Sequence, residues 1–131
     1  MIIGNGVDII DNKRIEKSLK IKGFKKRLFT LNEIKQSKKY RNKTNYFAKR
    51  FAAKEAFSKA LGTGISKGIC FNEIVILNEK NGKPFIKLLS KTKKIVEKKF
   101  KKKNYKISLS IADEKDYAVA FVTISIWKEK T

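Results

Sequence analysis

An α+β domain, with helices packed on an antiparallel sheet, is what the sequence predicts. Two late segments, 106–112 and 117–127, are rich in alternating or continuous apolar residues and are joined by the charged turn 113–116. Asn81-Gly82 is a strong hairpin turn between two further strand-like runs. The segments between carry their apolar residues at helical spacing. Antiparallel strands beside segregated helices define this class. The length of 131 residues fits one domain, 1–131.

Residues 2–10 read as a buried first strand, interrupted by Gly4 and Gly6. Asn12 is placed to cap a short helix with Ile15 and Leu19 on one face. Gly23 breaks that pattern. Thr30 and Glu33 have the spacing of a capping box, and a helix over 31–40 follows. Residues 42–45 are polar and read as a turn. A long helix spans 46–61 and ends at Gly62-Thr63-Gly64. Residues 69–77 read as a strand, with Cys70 at its border as a packing residue. Residues 84–89 form the return strand of the hairpin. Residues 92–103 make an amphipathic helix with Ile95, Val96 and Phe100 inward. In 106–112, Ile107, Leu109 and Ile111 share one face, and 117–127 is a long, strongly apolar strand.

Composition narrows the chemistry. Lysine and arginine number 33 against 12 aspartates and glutamates, a formal net charge of +21. The arginines are Arg14, Arg27, Arg41 and Arg50; the other cations are lysines. Histidine is absent and cysteine occurs once. That excludes His-containing triads, imidazole metal sites, a disulfide framework and a cysteine-cluster zinc site. Catalysis must rest on carboxylates, Lys, Tyr, Cys70, backbone or a hard metal ion. No stretch approaches the ~18 apolar residues of a membrane span, and the first residues lack the basic start of a signal peptide. The expected setting is cytoplasmic, without membrane contact. The lysine excess reads either as general surface decoration or as a field that selects an anionic partner.

The helix over 46–61 carries most of the information. At about 100° per residue, Phe47, Phe51, Phe57 and Leu61 form an apolar stripe, with Arg50 and Lys54 inside it. Ala52, Ala53, Ala56 and Ala60 cover the opposite side and let a neighbouring backbone approach closely. Glu55 and Lys59 lie between, at i and i+4. Charges among apolar groups need a partner, because an unpaired buried charge costs several kcal/mol. The plain account is a helical Glu55–Lys59 pair worth about 0.2–0.5 kcal/mol, with Arg50 and Lys54 extending their stems to water. The other account is a charged ligand. Asp8, in the apolar first strand, likewise calls for a pair or a cation. If Asp8 meets Glu55 in space, the two suit Mg²⁺, which typically takes one or two protein carboxylates, phosphate oxygens and waters.

These residues resemble the holo-acyl-carrier-protein synthases, the small bacterial 4′-phosphopantetheinyl transferases. The anchors are Gly6-Val7-Asp8-Ile9 with Arg14 and Ile15 downstream, Phe29-Thr30 with Glu33, and Arg50 to Glu55 continued through Lys59 to Gly62-Thr63-Gly64. Gly82-Lys83-Pro84, Ser110 to Asp113 and Tyr117-Ala118 match further family signatures. The resemblance implies the 4′-phosphopantetheinyl transferase fold. It also implies transfer of the 4′-phosphopantetheine arm of coenzyme A to a serine of an apo acyl carrier protein, with adenosine 3′,5′-bisphosphate leaving. By motif it implies Asp8 and Glu55 as Mg²⁺ carboxylates, and Glu55 and Lys59 as catalytic residues. Arg50, Lys54, Lys59, Gly62 and Gly64 become coenzyme-binding positions, and Arg14 and Arg27 belong to the docking face for an acidic carrier. It implies a homotrimer with active sites between neighbouring subunits. Ser108, Ala112 and Asp113 stand where many members carry His, Ser and His.

A small basic RNA-binding protein is the rival from another class, given the charge and the aromatics. The aromatics fall at core spacing, however, and the lysines are spread over every element. No RNP-like strand signature or Gly-x-x-Gly loop is present. No nucleic-acid partner is therefore expected.

Overall fold

A computed structural model describes residues 1–62, 68–101 and 104–128. Its elements are β1 (Ile2–Asp11), α1 (Asn12–Leu19), α2 (Phe24–Leu28), α3 (Leu31–Gln36), α4 (Lys43–Leu61), β2 (Ile74–Asn78), β3 (Pro84–Leu88), α5 (Ser90–Lys99), β4 (Asn104–Asp113) and β5 (Tyr117–Trp127). Short 3₁₀ turns occupy Ser37–Lys39 and Phe71–Glu73. β1, β5 and β4 form a three-stranded sheet in that order, and β2 and β3 form a separate hairpin. All pairings are antiparallel.

β5 occupies the centre of the sheet, and its alternate residues from Ala118 to Ile126 are apolar and buried. Ala118, Ala120, Val122 and Ile124 are fully buried beneath α4. The opposite face is apolar but open: Val7 and Ile9 of β1 stand at 53% and 64% exposure beside Phe121 at 46%.

α4 is the axis of the molecule. Asn42 caps it by accepting from the Asn45 backbone N–H at 3.0 Å, and Gly62 closes it in the left-handed conformation, φ 81°. Its alanine side meets β1 at main-chain distance. A Cβ added at Gly6 would fall on the Ala56 carbonyl oxygen, and one added at Gly4 would fall on that of Ala60. The glycines of the first strand and the alanines of the helix thus serve one contact. Gly6 and Asp8 share the strand face turned to α4.

Several boundaries differ from the sequence expectation. The cap of α1 is Asp11, whose side chain accepts from the Lys13 N–H at 2.9 Å; Asn12 is the first helical residue. The polar run 42–45 is the cap and first turn of α4, since Asn42 satisfies the helix start without an apolar residue. The helix expected over 31–40 ends at Gln36 and continues only as a 3₁₀ turn. The strand expected from 69 begins at Ile74, after the 3₁₀ turn. α5 starts at Ser90 and ends at Lys99; residues 102–103, expected at its end, lie outside the described residues. Cys70 is exposed, not packed. Among the described residues no helix is long and apolar enough to cross a membrane.

Candidate active site

The glycine–alanine contact sets Asp8 against the C-terminal half of α4. Lys59 Nζ donates to Asp8 Oδ1 at 2.9 Å and to the Val7 carbonyl oxygen at 3.1 Å. Glu55 lies one turn earlier on the same side. Burial is the largest cause that raises the Glu55 pKa from its ordinary value, and the neighbouring Asp8 carboxylate is the second; Lys59 and Arg14 pull it back. Asp8, Arg14, Glu55 and Lys59 therefore form one electrostatic cluster, drawn from β1, α1 and α4. Both carboxylates are hard oxygen donors, and no third acidic, sulfur or imidazole ligand completes a cluster among the described residues. Two hard carboxylates close enough for Asp8 to raise the proton affinity of Glu55 fit a magnesium-type ion.

Arg50 belongs to a different surface. Its residue is 7% exposed, yet its partners are weak and neutral. The guanidinium carbon lies 3.6 Å from the Tyr46 ring centroid and 5.5 Å from that of Tyr40. Nη1 donates to the Tyr46 carbonyl oxygen at 3.2 Å, Nη2 donates to Asn78 Oδ1 at 3.3 Å, and Nε is buried without a partner. A cavity of about 170 Å³ opens beside it, lined by Tyr40, Lys49, Asn78, Pro84 and Asp113 among others. Asp113 Oδ2 accepts from Asn45 Nδ2 at 2.9 Å. A stacked arginine with a spare donor, beside a lysine, is equipped for a phosphate. Sequence reasoning missed Tyr40, Tyr46 and Asn78. Tyr46 was detectable in principle, since it precedes Arg50 by four helical positions.

Lys54 departs from its expected place among the coenzyme contacts. It has no exposed surface, and its ammonium donates to Glu33 Oε1 at 2.6 Å, the Leu28 carbonyl at 2.7 Å and the Phe71 carbonyl at 2.9 Å. Burial draws its pKa down to about 8 against the pull of Glu33. With three donors spent on the protein, it has none to offer a ligand. Glu33 makes the capping box with Thr30 and also accepts from the Ile76 N–H at 3.1 Å. Gly62 caps α4, and Gly64 lies outside the described residues. Arg14 and Arg27 are both exposed, on α1 and α2, which pack against each other.

Residues 4–122 match the model of the 4′-phosphopantetheinyl transferase superfamily. A holo-(acyl-carrier-protein) synthase of Pelagibacter ubique is 51% identical over 123 residues, covering 94% of this chain and 96% of that protein. The crystal structure of the Neisseria meningitidis holo-(acyl-carrier-protein) synthase matches with a TM-score of 0.86 and 38% identity, over 95% of this chain and 99% of that one. The Bacillus anthracis synthase, solved in complex with CoA (3′,5′-ADP), matches with a TM-score of 0.77 and 39% identity, over 95% of this chain and 96% of that one. The chain belongs to the 4′-phosphopantetheinyl transferase superfamily and, within it, to the holo-(acyl-carrier-protein) synthases, a family of enzymes.

Proposed function

We propose that this enzyme transfers the 4′-phosphopantetheine arm of coenzyme A to a serine of an acidic apo acyl carrier protein, as a step serving fatty acid biosynthesis. The reaction depends on Mg²⁺ and releases adenosine 3′,5′-bisphosphate. The observation that carries this reading is the Asp8–Glu55–Lys59 cluster, in a chain whose relatives are named as holo-(acyl-carrier-protein) synthases.

In the transfer, the serine Oγ–phosphorus bond forms and the bond to the bridging pyrophosphate oxygen breaks. Asp8 and Glu55 would hold the ion, which when bound polarises the phosphorus centre and stabilises the leaving oxygen. Lys59 neutralises charge that grows on the non-bridging oxygens. Glu55, with its raised proton affinity, or a water beside it accepts the serine proton. Arg50 binds a phosphate of the coenzyme, Gly62 and Gly64 are coenzyme-binding positions, and Arg14 and Arg27 meet the carrier. The cytoplasmic setting is part of this proposal.

A homotrimer with shared sites is part of it as well, and two features support it. The outer sheet face of Val7, Ile9 and Phe121 is apolar and uncovered. Arg50 and Lys59 are nine positions apart, which at about 100° each is half a turn, so they look away from each other across α4. Their two surfaces can serve one ligand when neighbouring subunits face each other. Light scattering of wild type and Phe121→Glu checks this: the variant is expected to be smaller in solution.

Incubation of an apo carrier protein with coenzyme A and Mg²⁺, followed by mass spectrometry, is the direct test. A gain of one phosphopantetheine supports the activity. Turnover of Glu55→Gln and Lys59→Ala at saturating Mg²⁺ tests the assignment; near wild-type rates in both would end it.

A further inference from the structure

The Lys59 ammonium sits where a cation is called for. Asp8 stands close enough to Glu55 to raise its proton affinity, and among the described residues Lys59 is the one cation in an ion pair with Asp8, at 2.9 Å from Oδ1. Asp8 is only 15% exposed, whereas the Lys59 side chain is 54% exposed and lies along the surface to reach it. The second bond, to the Val7 carbonyl, steadies the ammonium but offers no charge. No other acidic group pairs with Lys59 among the described residues.

We propose that Lys59 is a built-in stand-in for the divalent ion: it neutralises Asp8 while the metal is absent, and entry of the metal displaces it toward the coenzyme phosphate. This rests on the reading of Asp8 and Glu55 as metal carboxylates. Two like charges cannot share one carboxylate without repulsion. An ammonium on a flexible stem, half in water, leaves at little cost. Displacement also gives Lys59 its second task. Freed from Asp8, it is available to the anionic substrate, so metal and coenzyme favour each other's binding, and by reciprocity each does so to the same extent.

The test uses Mn²⁺ alone as the probe, titrated by electron paramagnetic resonance into wild type, Lys59→Met, Lys59→Gln, Lys59→Arg and Asp8→Asn at fixed ionic strength. Melting curves establish that each variant is folded. Wild type binds Mn²⁺ and Asp8→Asn binds it far more weakly. Lys59→Met and Lys59→Gln bind about two- to fivefold more tightly than wild type, the factor expected from releasing one exposed ion pair. Lys59→Arg, which keeps the charge, stays near wild type. In metal-free buffer the neutral variants melt lower and gain more on addition of Mn²⁺. If the folded neutral variants bind Mn²⁺ no more tightly than wild type while Asp8 dependence is intact, the stand-in is wrong and the metal reading survives. If wild type shows no Asp8-dependent Mn²⁺ binding, the metal reading fails and the stand-in goes with it.

Discussion

Lys54 and Glu33 meet at 2.6 Å with side-chain exposures of 0% and 1%. Through this pair α4 is tied to α3, and the remaining bonds reach the end of α2, the 3₁₀ turn at Phe71 and strand β2. Removing one partner leaves the other buried and charged. Lys54→Met or Glu33→Gln is expected to cost about 3–5 kcal/mol. The double variant should lose less than the sum, with a coupling of about 1–3 kcal/mol. Urea unfolding of the four proteins measures both.

Tyr46 gives a pH signature. Its hydroxyl donates to the Glu33 carbonyl at 2.6 Å, and burial raises its pKa from 10.0 to about 12. An acid with a raised folded pKa stabilises the fold fully below its unfolded pKa. That contribution is lost as pH climbs from 10 through 12. Tyr46→Phe should lose about 1 kcal/mol at neutral pH, for the missing hydrogen bond. Its deficit against wild type should shrink and then reverse across the alkaline window. Denaturant midpoints of both proteins at stepped pH follow this difference.

Arg50 is stacked on Tyr46, so its shape matters as well as its charge. Lys at this position keeps the charge and loses the planar fork and the spare Nε donor. Arg50→Lys is expected to weaken coenzyme A binding about tenfold, and Arg50→Met more. Calorimetric titration with coenzyme A reads the effect, while an unchanged melting temperature in Arg50→Lys separates binding from folding.

Arg14 is exposed and close enough to Glu55 to influence its charge. Reversing it should reduce carrier affinity roughly tenfold at low salt and less at high salt. Coenzyme affinity should change by a much smaller factor. Equal losses for the two ligands would remove Arg14 from the docking face.

Local signals in the sequence carried far. Strand β5 falls on Tyr117–Trp127 as its strongly apolar pattern indicates, and the Thr30–Glu33 box is formed. The alanine side of α4 called for a close backbone neighbour, and the structure supplies the glycine-bearing strand β1 as that neighbour. Polar helix starts were less legible. Asn42 and Asp11 cap helices whose first turns hold no apolar residue, so periodicity begins too late to mark them. Lys54 was hidden for another reason. A lysine inside an apolar stripe looks the same whether it meets a ligand or an interior carboxylate, and only the folded position of Glu33, 21 residues away, decides between them. The surroundings of Arg50 depend likewise on Asn78 arriving from the hairpin.

The seam between β1 and α4 is made of peptide groups with almost no side chain between them. Side-chain interfaces absorb small errors by changing rotamers; a seam of bare backbone has no such play. The spacing between the strand's aspartate and the helix's glutamate and lysine is therefore inherited from the stiffness of the main chain itself. Drift elsewhere in the lysine-rich exterior leaves that gauge untouched, whereas a single added methyl at the seam would reset it.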